Sequence, residues 1–138
     1  MPATFALDPR LAADTLPLGT LELCRVLLFN DSRFPWLILV PARAGLVEVI
    51  DLDEKDRALL MREVSLASEA LRKLTDCHKL NVAALGNQVR QLHVHVIARF
   101  EADAAWPHPV WGRGQRVPYR AEAATLLKQQ IKTAMRLR

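Results

Sequence analysis

Leu60, Val64, Ala67, Leu71 and Leu74 recur at spacings of four, three, four and three. That rhythm places all five on one stripe of a helix and predicts one long amphipathic segment with its apolar face against a core. Asp53-Glu54-Lys55-Asp56 opens it, with carboxylates where a helix N-terminus is electropositive. The neighbouring segments are too short to match it and read as strands. Leu21–Phe29 and Trp36–Val40 flank the turn residues Asn30-Asp31-Ser32 and predict a hairpin. Leu80–Leu85, a tight turn at Gly86-Asn87, and a strand over Val89–Phe100 follow the helix. A last helix is expected from about Ala121, with Ala124, Leu127, Ile131 and Ala134 on its apolar stripe, and a single helical turn over Leu11–Asp14. Strands in hairpins with segregated helices predict an α+β fold. The expectation is an antiparallel sheet of about five strands, a long central helix and a C-terminal helix.

At 138 residues the chain suits a single domain, with its core over about 18–103 and a C-terminal loop and helix over 104–138. A net charge of +4 is a modest excess, part of it in Lys128, Lys132, Arg136 and Arg138. These read as a solvated helix face, or as an attraction for an anionic ligand such as a nucleotide phosphate or for nucleic acid. Basic residues are scattered and not interleaved with aromatics, so no nucleic-acid groove is expected. Cys24 and Cys77 are too few for a disulfide framework and suit a reducing compartment. The first residues lack the basic start and apolar run of a secretory signal, and no stretch approaches the ~20 apolar residues that cross a bilayer. The expected setting is cytoplasmic, with no membrane partner.

Chemistry concentrates in Gln91-Leu92-His93-Val94-His95-Val96-Ile97. On a strand, residues two apart share a face, so Gln91, His93 and His95 are presented together while Leu92, Val94 and Val96 turn to the core. An imidazole with an unperturbed pKa near ~6.5 serves as nucleophile, base or acid at neutral pH. Three readings are open. The pair can be structural. It can supply two metal ligands, with His78, His108, Cys24 or Cys77 as the third, although none stands at a recognised spacing. Or one imidazole attacks an electrophile such as phosphorus while the other assists the leaving group.

The segment resembles the motif of the histidine triad (HIT) nucleotide hydrolases and transferases, His-φ-His-φ-His-φ-φ with φ apolar, at every position but the first. The order of elements from about Leu21 to Phe100 is similar too. The resemblance implies that His93 is the nucleophile, attacking the α-phosphorus of a nucleoside 5′-phosphate derivative to form a nucleotidyl-histidine that water hydrolyses. It implies that a backbone carbonyl within the motif orients His93 and that His95 contacts phosphate oxygens or the leaving group. It points to Asn81 and Gln88 for phosphate and to Asn30 for the nucleoside. The amides of Gly86-Asn87 suit phosphate as well, since backbone N–H groups beside a glycine accept anions without steric cost. No metal or other cofactor is required, and a homodimer is expected. The partner is a nucleoside monophosphate or a small molecule derived from a nucleotide.

Two departures stand out. Gln91 replaces the first histidine and cannot titrate. Trp36 stands about where members of the family often have a histidine, so the pocket beneath His93 is expected to differ. An alternative function is a nucleotide-binding module of the same fold with little or no turnover. Downstream, Trp106 and Trp111 sit in a proline-stiffened loop. They can stack on a base or leaving group, or the loop can fold over the sheet and bury both rings. Arg99 is read as a surface strand residue and His108 as a possible extra acid.

Overall fold

The structure is a computed structural model of the chain, and it describes residues 4–138. Three helices, α1 (Pro9–Asp14), α2 (Glu54–Thr75) and α3 (Ala121–Met135), accompany five strands. The strands are β1 (Thr15–Thr20), β2 (Cys24–Phe29), β3 (Trp36–Pro41), β4 (Lys79–Ala83) and β5 (Val94–Arg99). They form one sheet in the order β1-β2-β3-β5-β4, every neighbouring pair antiparallel. The α+β architecture agrees with the sequence reading.

The helix α2 starts where its acidic opening predicts. Asp53 is the N-cap, its carboxylate accepting from the Asp56 amide at 2.8 Å. The helix stops at Asp76 in the left-handed conformation, which a short polar side chain tolerates better than a branched one. Leu60, Val64, Ala67 and Leu71 are buried as the stripe predicts, and Leu74 packs at the margin. Glu63 on the same face is also buried, because its carboxylate accepts from the Leu23 and Cys24 amides at 2.9 and 2.8 Å. That carboxylate fastens α2 to the start of β2.

Both faces of the sheet are covered. Val26, Leu28, Leu37, Leu39, Val94, Val96 and Ala98 pack beneath α2 and α3. Leu27, Trp36, Ile38, Val40 and Ile97 face the other way, under Leu11 of α1, Phe34, Ala105 and Val110. Double burial explains why β3 and β5 are buried along their whole lengths and why β3 reads as a continuous apolar run.

Several boundaries differ from the expectation; α1 begins at Pro9, not Leu11, and β4 spans Lys79–Ala83, not Leu80–Leu85. The hairpin strand starts at Cys24, not Leu21, and a separate strand, β1, precedes it. Pro17 and Gly19 disguise that strand, but it lies at the sheet edge, where a missing N–H costs no ladder bond. Gly19 is required there: a Cβ would lie 2.5 Å from the Arg138 carbonyl oxygen. The motif strand is shorter than Val89–Phe100, with pairing that begins at Val94. His93 therefore stands just ahead of β5.

Candidate active site

The second face of the sheet opens into a cleft of about 440 Å³ beside the motif, within the size range of small-ligand sites. His93 and His95 line its floor with Trp36 and Ile38 of β3; Leu11, Asp14 and Thr15 form one wall. The loop residues Gly86, Asn87 and Gln88 form another, and Phe29 and Trp111 bring aromatic faces to it. The two imidazole rings are 4.9 Å apart, centroid to centroid.

Each imidazole is held through Nδ1. His93 Nδ1 lies 2.7 Å from the Gln91 carbonyl oxygen. A carbonyl only accepts, so Nδ1 carries the proton and the lone pair of Nε2 is left for an incoming electrophile. His95 Nδ1 lies 3.0 Å from the indole Nε1 of Trp36. An indole only donates, so here Nδ1 accepts and the proton sits on Nε2. The two rings thus offer opposite functions at Nε2: a base at His93 and a donor at His95. Burial, with the neighbouring His93, pushes the His95 pKa down to about 3, so the ring is neutral across the working range.

Gln91 does two separate jobs. Its backbone carbonyl holds His93, while its side-chain amide turns away and ties down the N-terminal segment. Oε1 accepts from the Asp8 amide and Nε2 donates to the Ala6 carbonyl, both at 2.8 Å. Asp8 in turn caps α1, its carboxylate accepting from the Arg10 amide at 2.8 Å. The side chain thereby fixes the helix that supplies one wall of the cleft. Replacing Gln91 by leucine is expected to keep turnover within about tenfold of wild type, because the carbonyl remains. Limited proteolysis should then cut more readily before Pro9, as the amide's two tethers are gone. A protected N-terminus and a dead site would contradict this division of labour.

Gly86 holds φ +72°, a conformation that favours glycine, and turns the loop toward His93. Asn87 and Gln88 sit on the same loop at the cleft. Asn81 and Asn30 do not line it. Asn81 accepts from Arg99 Nη1 at 2.8 Å, and Asn30 accepts from the Tyr119 amide at 2.9 Å. Both side chains face other parts of the protein.

Arg99 departs from the sequence reading. It is buried, at 1 % exposure, and not a surface residue. Asp103 takes Nε at 2.8 Å and Nη2 at 3.1 Å, and the His108 carbonyl accepts from Nη2 at 2.8 Å. This buried pair pins the loop that carries Trp106 and Trp111 over the sheet. Both indoles are half-buried. Trp111 meets Trp36 and His95 edge-on at 5.6 and 5.0 Å, whereas Trp106 packs against His78 at 5.2 Å, away from the cleft. Among the described residues no three His, Cys, Asp or Glu side chains gather as a metal site. The wall from α1 and the bond from Trp36 to His95 have no signature in the local sequence.

A HIT domain model matches residues 11–102, which include the whole cleft floor and the motif. The chain belongs to the histidine triad family. Solved structures of histidine triad proteins agree over nearly its full length. One from Bradyrhizobium japonicum is 47% identical with a TM-score of 0.95, covering 96% of this chain and 99% of its own. One from Sinorhizobium meliloti is 50% identical with a TM-score of 0.93, covering 95% and 97%. A third, from Marinobacter aquaeolei, is 45% identical with a TM-score of 0.95, covering 97% and 98%. No curated protein matches the chain. Family membership supports a role in nucleotide binding or hydrolysis.

Proposed function

We propose that this HIT protein is a hydrolase or transferase of nucleoside 5′-phosphate derivatives, working through a nucleotidyl-histidine on His93. Phosphoramidates, other AMP conjugates and dinucleoside polyphosphates make up the substrate class. The observation that carries the reading is the 2.7 Å contact of His93 Nδ1 with the Gln91 carbonyl oxygen. In the neutral ring it puts the lone pair on Nε2, and His93 lines a cleft of nucleotide size.

The chemistry follows in two displacements. His93 Nε2 attacks the α-phosphorus, a P–N bond forms, and the bond from phosphorus to the leaving group breaks with its electron pair. The ring becomes an imidazolium whose Nδ1–H still points at the Gln91 carbonyl, which stabilises the charge. Water then adds to phosphorus, the P–N pair returns to Nε2, and one proton passes to solvent. His95 Nε2–H and the amides of the Gly86–Gln88 loop are donors for the phosphate oxygens. Phe29 and Trp111 offer apolar faces to the base.

The second reading, a binding module with little turnover, draws on the loss of an ionisable residue at Gln91. The mechanism does not need one there, since the backbone does the orienting. Release of nucleoside monophosphate from these derivatives, undiminished by chelator, is the expected result. Binding of AMP without any release would favour the module.

A homodimer belongs to the same proposal. The strand β4 pairs only with β5, so its outer edge is open among the described residues. Val82, Leu85 and Ile50 beside it are 50 %, 49 % and 81 % exposed. Open edges with apolar flanks are templates for a second copy. Light scattering after size exclusion should give the mass of two chains, and Val82→Lys should shift it to one. A wild-type monomer at micromolar concentration would contradict the pairing. The two unpaired cysteines suit a reducing compartment, and we place the protein in the cytoplasm.

A further inference from the structure

Trp36 starts β3 in register with Ile97, two pairs along from Ile38 and His95 and so on the same face of the sheet. Its indole is 4 % exposed and the His95 ring 6 %, so water does not compete for the bond of 3.0 Å between them. Because an indole nitrogen has no lone pair to offer, a proton on His95 Nδ1 would set N–H against N–H at that distance. The bond therefore holds one tautomer and also opposes the imidazolium.

The surroundings of His95 offer nothing to restore the charge. On β3 it faces Trp36 and Ile38, on β4 Ala83, and across the loop Trp111. Its titratable neighbour in the motif is His93, which repels a second cation. Asp14 is the acidic group on the cleft lining, and it is half-exposed and paired with Arg116 at 3.1 Å. No carboxylate accepts a hydrogen bond from His95 among the described residues.

We infer that Trp36 is a positioning residue that locks His95 as a neutral Nε2–H donor, and that the site consequently favours leaving groups that depart as stable anions. This rests on the hydrolase reading of the same cleft. The donor solvates the breaking bond but keeps its proton, since giving it up would produce an imidazolate. The leaving group must carry away the electron pair unaided or take a proton from water. Carboxylates of acyl-nucleotide anhydrides, phosphates of polyphosphates and acidic phenolates meet that requirement. Alkoxides and the amide anions of amines do not, so within the substrate class phosphoramidates and alkyl esters rank last.

Two measurements test this. Long-range ¹H–¹⁵N spectra of the free protein read each imidazole tautomer without any turnover. The expected spectrum has His95 protonated at Nε2 and bare at Nδ1, with no titration as the pH falls through ~6.5. A His95 that titrates there, or carries its proton on Nδ1, overturns the lock. The second is kcat/KM against pH for AMP esters of p-nitrophenol and of methanol. Wild type should prefer the nitrophenyl ester by more than about 10³-fold and show no alkaline loss that a general acid would impose. Trp36→Phe removes the donor to Nδ1 but leaves the ring buried beside His93, so part of His95 should carry its proton on Nδ1 and kcat/KM for the nitrophenyl ester should fall at least tenfold. A Trp36→Phe protein with the wild-type tautomer and the wild-type rate overturns the assignment. A protein with the locked tautomer that turns over neither ester overturns the hydrolase reading, and the leaving-group preference with it, while the lock stands.

Discussion

Replacing His93 by alanine removes turnover, by more than about 10⁴-fold, while the protein stays folded and still binds nucleoside monophosphate. The magnitude is that of losing a nucleophile, where the remaining donors retain only a residue of catalysis. The retained fold follows from where the side chain sits. His93 stands ahead of β5, not within its ladder, and among the described residues its ring bonds to the carbonyl two residues back. Leu92 beside it supplies the packing instead, buried with its amide bonded to the Leu46 carbonyl at 3.0 Å. Steady-state assays on wild type and variant, with the rise in Tm on adding AMP as the binding readout, check both halves. Full turnover in the variant would remove His93 from the mechanism. A variant that no longer folds would make it a structural histidine.

The largest stability effect is expected at Asp103. Its carboxylate accepts from Arg99 and from the amides of Phe100, Ala105 and Trp106. Asp103→Asn places an NH₂ group among those donors and leaves the Arg99 guanidinium buried without its counter-charge. Removing one partner of a buried pair costs about 3–5 kcal/mol, or roughly 10–20 °C in Tm for a chain of this size. The wild type should also show an acid limb from this residue. Burial alone would raise the Asp103 pKa, but the Arg99 bonds and the three amides outweigh it and hold it at about 2, below its ordinary 3.8. A depressed value means the contribution is complete above 3.8 and is lost as the pH falls toward about 2. Calorimetric Tm against pH should fall over that window in wild type and lack this component in Asp103→Asn. Because the pair pins the loop bearing Trp111, the variant should bind AMP less tightly as well. A Tm within a few degrees of wild type would show that the network is dispensable.

What could be read from the sequence was what is local in it. The stripe from Leu60 to Leu74 and the alternation of His93 and His95 are properties of neighbouring residues; the first placed α2, and the second found β5, although its pairing begins only at Val94. The unread features join residues far apart. Gln91 reaches Ala6 and Asp8 across 85 and 83 positions, and Trp36 reaches His95 across 59. No periodicity announces such contacts. Arg99 illustrates the opposite error. A charged strand residue is normally solvated, but Asp103 four positions on supplies a counter-charge once the loop turns back over the sheet. The strand β1 escaped because Pro17 and Gly19 are poor strand formers, and only the edge position and the nearby Arg138 explain them.

The central claim is a covalent nucleotidyl-His93, and the most direct measurement is the mass of the protein itself. Mixing it with the p-nitrophenyl ester of AMP and quenching within one turnover should show a fraction heavier by one adenylyl group, mapped by peptide sequencing to His93 and absent from His93→Ala. Nitrophenolate released at the same rate by a protein that never gains that mass would mean direct attack by water and would contradict the account.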